Sequence, residues 1–138
     1  MAVAAATVVA GCGGGGDDDS GFADVTNRAC EEITAAAKTL STDLVRGPGD
    51  DEAAAIKAAI DRYAATVEAA ADRLKQAKPR KADRAFQQQA VTYLQARAKD
   101  LRSAADGKRS QAAKAAASAP LVPPAVLDGA PACGSAAR

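Results

Sequence analysis

Large apolar residues recur every three or four positions along three stretches of this chain, and turn-forming residues separate the stretches. In the first, Phe22, Val25, Ala29, Ile33, Ala36/Ala37, Leu40 and Leu44 fall on one helical face. The spacing predicts a helix from about Val25 to Val45, capped by Asp24 or Thr26. Glu31 and Glu32 lie early in it, where the helix dipole favours negative charge. Gly47-Pro48-Gly49 ends it. A second stripe, Ile56, Ile60, Tyr63, Val67, Ala70/Ala71 and Leu74, predicts a helix that starts after Asp50 and stops before Pro79. A third, Phe86, Ala90, Tyr93/Leu94, Ala98, Leu101 and Ala105, predicts a helix from about Ala82 to the Asp106-Gly107 pair.

Beyond Gly107 the pattern weakens. Residues 108–118 suit a helix in composition but lack large apolar anchors, so they either extend the third helix or form a short fourth one. Residues 120–138 include four prolines and read as an extended tail. Its aliphatics, Leu121, Val122, Val126 and Leu127, need a surface to bury against. The expected fold is all-α: an up-down-up three-helix bundle over residues 22–119, with the tail packed on it.

Composition changes one part of this picture. The chain has 138 residues, and 39 alanines account for most of its 48% hydrophobic content. Large apolar side chains number only about twenty between Phe22 and Cys133, which bounds the core. Alanine favours helix strongly, so the helices form readily but must pack closely over a thin core. Charge adds an asymmetry. Residues 1–61 carry 4 Lys/Arg against 11 Asp/Glu, and residues 62–138 carry 14 against 6, within a net charge of +1. Acidic and basic helices of one bundle can satisfy each other.

The three cysteines divide by context. Val9-Ala10-Gly11-Cys12 closes an uncharged run of small and β-branched residues. That is the pattern of a lipoprotein signal peptide over residues 1–11, with Cys12 as the lipidated mature N-terminus. No Lys or Arg precedes the run, so the true start of translation is expected upstream. Residues 12–21 then form a Gly/Asp tether. Export leaves Cys30 and Cys133 as an even pair for one disulfide. In the up-down-up layout the tail must return about 30 Å to reach Cys30. The thirteen residue-to-residue steps from Pro120 to Cys133 can cover about 43 Å when extended.

These residues together resemble the small, Ala-rich helical lipoproteins and secreted proteins of actinobacteria. The resemblance rests on Val9-Ala10-Gly11-Cys12, on the polar tether, and on Cys30 and Cys133 at the two ends of a helical domain. It implies an address at the outer face of the cytoplasmic membrane and a helical fold, without an activity.

Catalytic chemistry is hard to place on this chain. Histidine is absent, and neither a Gly-x-Ser-x-Gly nor a Ser-x-x-Lys motif occurs. Glu31, Glu32, Asp61, Glu68 and Asp72 sit at helical surface spacings. The glycine run lacks the strand and Lys-Ser/Thr of a phosphate loop, and Arg28 occupies the position where a calcium loop over Asp17, Asp19 and Gly21 needs Glu. No cofactor or metal is indicated, and the chain reads as a non-enzyme. The sharpest feature besides Cys12 is the group Arg73, Lys75, Lys78, Arg80, Lys81 and Arg84, opposed by Asp72 and Asp83, around the turn between the second and third helices. It suits anionic lipid or an anionic wall polymer, as a supplement to the lipid anchor. Nucleic acid fits poorly, because the chain is near neutral and holds four aromatics. The sequence therefore predicts a membrane-anchored cell-envelope lipoprotein that acts as a non-catalytic binding or scaffolding module with an envelope protein partner. The alternative is a carrier of a lipid or small apolar ligand in a groove under the C-terminal tail.

Overall fold

The computed structural model describes residues 19–46, 52–105 and 133. Cys12, residues 108–118 and the expected tail over residues 120–138, apart from Cys133, lie outside them. The described chain is a helical bundle without strands: α1 (Asp19–Arg46), α2 (Glu52–Gln76), a 3-10 turn (Lys81–Asp83) and α3 (Arg84–Ala104).

The predicted stripes are the buried faces. On α2, Ile56, Ile60, Tyr63, Val67, Ala70, Ala71 and Leu74 are all buried, joined by Ala59 and Ala64. On α1, Phe22, Ala29, Ile33 and Leu40 are buried, while Val25, Ala36, Ala37 and Leu44 pack at the margin. On α3, Phe86, Ala90, Leu94, Ala98 and Leu101 face inward. Tyr93 does not share that face. It is 39% exposed, and Leu94 fills the inward position that the spacing left open between them. Each large aliphatic so buried stabilises the fold by about 1.5–3 kcal/mol relative to exposure. The alanines let the helix backbones approach closely between these anchors.

α1 begins six residues before the predicted start, so residues 19–21 of the expected tether are helical. The cause is tertiary. Phe22 is buried at 4% exposure and meets Phe86 edge-on, with ring centroids 6.2 Å apart. Neither Asp24 nor Thr26 caps the helix, since both lie within it. Thr26 is instead a buried polar residue, satisfied by donating its hydroxyl to the Phe22 carbonyl at 2.8 Å.

α2 packs against both α1 and α3. Ion pairs cross both seams. Glu32 of α1 meets Arg73 near the end of α2, and Asp43 meets Arg62 nearer its start, at 2.9 Å. These two helices therefore run antiparallel. Glu68 of α2 meets Arg102 at the end of α3. The acidic first half and basic second half of the sequence thus meet across the α1–α2 seam, while Glu68 and Arg102 both belong to the basic half.

At its C-terminus α2 closes with Ala77 N–H donating to the Arg73 carbonyl at 3.0 Å, and Pro79 prevents continuation. Asp83 N–H donates to the Arg80 carbonyl at 3.0 Å and shapes the 3-10 turn that leads into α3.

Candidate functional site

The disulfide joins Cys30 to Cys133 across a sequence separation of 103, with Cα atoms 4.8 Å apart. Both cysteines are buried, at 3% and 1% exposure. Cys133 Sγ lies 3.5 Å from the Thr26 carbonyl oxygen. An oxidised sulfur carries no proton, so this is a packing contact and not a donated hydrogen bond. Residue 133 is thereby held against the first half of α1.

The cations of the α2–α3 turn fall into two groups. Arg73 departs from the expected basic patch. Its guanidinium reaches across to α1 and donates through both terminal nitrogens to the Glu32 carboxylate. Arg28 Nε donates to the same carboxylate at 3.3 Å. The hydrogen bonds from Arg73, then its charge and those of Arg28, hold the Glu32 carboxyl below its ordinary range, against the opposing effect of burial. Arg80 is likewise engaged, donating from Nε to Asp83 at 2.8 Å. Asp83 is buried, and this ion pair is what compensates the burial of its charge. These two arginines serve the fold because a planar fork suits a carboxylate better than it suits a diffuse surface.

Lys75, Lys78, Lys81 and Arg84 form the second group. All four are exposed, and among the described residues none has a carboxylate partner. Lys75, Lys78 and Arg84 converge on one groove of about 680 Å³. Gln87, Gln88 and Thr92 add polar side chains to its wall, and Ala77, Pro79 and Val91 give it an apolar side.

Gln87 was not singled out in the sequence. Its side-chain amide donates to the Leu74 carbonyl at 2.6 Å and to the Ala77 carbonyl at 2.8 Å. A residue of α3 thus donates to the Leu74 carbonyl, which also accepts from the Ala77 N–H at 3.3 Å, and to the Ala77 carbonyl just past the end of α2. Only the docking of two helices brings them together, so no local pattern announced it.

Four of the carboxylates considered for acid–base work, Glu31, Glu32, Asp61 and Glu68, are engaged by neighbouring side chains. Asp61 accepts from Lys57 at 3.0 Å and Glu31 from Asn27 at 3.3 Å. Arg102 holds the Glu68 carboxyl below its ordinary range through hydrogen bonds and charge. Burial pushes the Tyr63 phenol up, which keeps it protonated at neutral pH. Among the described residues no group of His, Cys, Asp or Glu is gathered to hold a metal ion. None of the described helices is long and apolar enough to cross a membrane.

Fold and site together define a disulfide-closed helical bundle with a cationic groove at one turn. Comparison with protein-family models, with curated proteins and with solved structures finds no match to this chain.

Proposed function

We propose that the chain is an extracytoplasmic lipoprotein, similar to the Ala-rich helical lipoproteins of actinobacteria, anchored through Cys12 and acting as a non-catalytic binding or scaffolding module. On this reading the basic turn rests on anionic headgroups or an anionic wall polymer beside the anchor. On the same reading the up-down-up bundle is closed by an extended tail over residues 120–138, tied to α1 through Cys133.

The observation that supports it is the placement of the four cations that have no carboxylate partner among the described residues. Phe22 against Phe86 brings the start of α1 to the start of α3, beside the turn that bears Lys75, Lys78, Lys81 and Arg84. Cys12 precedes Asp19 by seven residues, which span at most about 25 Å. An acyl chain on Cys12 and the four cations therefore lie within reach of one surface. A lipid chain and a basic patch acting together give stable association where either alone is marginal. A bilayer-facing basic residue contributes about 1 kcal/mol.

Fractionation of the native cell tests the reading. Cys12→Ala is expected to shift the protein from the membrane to the soluble fraction. Membrane retention equal to wild type would remove the anchor from the proposal.

A further inference from the structure

We infer that the groove at the α2–α3 turn seats one anionic phospholipid headgroup. Lys75, Lys78 and Arg84 hold its phosphate, and Ala77, Pro79 and Val91 receive the glycerol and first methylenes. The inference rests on the membrane reading above and narrows it from a charged surface to a discrete site.

Charge supports it first. Three cations line one concavity without a carboxylate among the described residues. Like charges brought together repel, and a bound phosphodiester would turn that repulsion into attraction. The backbone gives a second reason. A lysine at the end of a helix commonly serves the last carbonyls. Here Gln87 already donates to the Leu74 and Ala77 carbonyls, so the ammonium groups of Lys75 and Lys78 remain available to an external anion. Arg84 opens α3, where the positive end of the helix dipole disfavours a cation. An anion shared with the two lysines would offset that cost.

The wall selects the class of anion. A bare phosphate would leave the apolar side formed by Ala77, Pro79 and Val91 without a contact, and an uncharged acyl chain would leave the cations unneutralised. A phospholipid headgroup meets both demands, and Gln88 and Thr92 offer hydrogen bonds to glycerol oxygens. The volume of about 680 Å³ is within the range of small-molecule sites, roughly 300–1,000 Å³.

The test uses the full chain carrying Cys12→Ser, so that no acyl anchor contributes. Binding is measured to phosphatidylcholine vesicles with and without phosphatidylglycerol, to monomeric short-chain phosphatidylglycerol, and to inorganic phosphate. Lys78→Gln and Arg84→Gln alter the groove, while Lys81→Gln removes a nearby cation that does not line it. The expected result is saturable one-to-one binding of the short-chain lipid, weakened about tenfold or more by Lys78→Gln and by Arg84→Gln and less than about threefold by Lys81→Gln. Preference for anionic vesicles with equal losses in all three variants and no short-chain binding would overturn the discrete site and leave the charged-surface reading standing. Equal binding to both kinds of vesicle would overturn both. Inorganic phosphate bound as tightly as the short-chain lipid would assign the groove to free phosphate and overturn the lipid seat. Helical circular dichroism matching wild type keeps the variants comparable.

Discussion

Along the seams of the bundle, cations are committed to the protein itself; around the α2–α3 turn, four cations meet no carboxylate among the described residues. Arg62, Arg73 and Arg102 each cross from one helix to a carboxylate on the next. Lys75, Lys78, Lys81 and Arg84 have no such partner among the described residues, although some lie within a helical turn of Arg73 or Arg80. A count of positive charge along the sequence treats these groups as equal. The difference lies in geometry. The planar fork of arginine matches a carboxylate across a helix seam, whereas the lysine ammonium is a strongly hydrated point charge on a flexible stem; Arg84 has the same fork but lines a groove without a carboxylate among the described residues. One region therefore uses its charge between helices, and the other has no carboxylate to meet among the described residues.

The largest effect expected on the seam side comes from the disulfide. Cys133→Ser should lower stability by about 2–4 kcal/mol, because the bond closes a loop of sequence separation 103. Reversible urea unfolding, read against the oxidised wild type, measures this. An unchanged midpoint would mean that the helix seams alone hold α1 in place.

Acid sharpens the contrast at an intermediate scale. The Glu32 carboxyl is held below its ordinary value of 4.5, first by its hydrogen bonds from Arg73. A group whose pKa is depressed on folding contributes stability above its unfolded value and loses it as pH falls through the folded one. Stability should thus decline below about pH 4.5 in wild type, and less steeply in Glu32→Gln. At neutral pH that variant should lose at most about 1 kcal/mol, since the pair is partly exposed to solvent. Parallel acid limbs in the two proteins would show that the Glu32–Arg73 pair does not couple folding to protons.

The smallest change in stability belongs to the turn. Lys78→Gln and Lys81→Gln should each alter it by less than about 0.5 kcal/mol, measured by the same urea titration. A larger loss would place these lysines with the seam arginines and erase the distinction between the regions.

Much of the helical pattern was legible before any coordinates, and the reasons are local. The α2 stripe is buried as predicted because Ile56, Ile60, Tyr63, Val67 and Leu74 repeat at the helical period and Pro79 blocks continuation. Cys30 and Cys133 pair as expected once Cys12 is set aside. Other features depend on neighbours remote in sequence. The early start of α1 follows from Phe86, 64 positions after Phe22. Tyr93 and Leu94 compete for one inward position, and the helical period alone does not decide between adjacent residues. In the basic turn, the engagement of Arg80 by Asp83 was readable from their spacing of three. The removal of Arg73 by Glu32, 41 residues away, was not. Nor was the service that Gln87 gives to α2, which exists only once α3 has docked.

The disulfide also decides how the molecule answers a pull. With its 28 residues, α1 is about 42 Å long. Cys30 lies in its first half and is tied covalently to a residue near the other end of the sequence. Tension that enters through the start of α1 and leaves beyond Cys133 passes through the sulfur–sulfur bond. Only the turns of α1 ahead of Cys30 can be drawn out while that bond is intact. The rest of α1, all of α2 and all of α3 sit in a closed loop that the force bypasses, so a chain held by its N-terminal side and pulled from its C-terminal side would yield by a short extension and then stop.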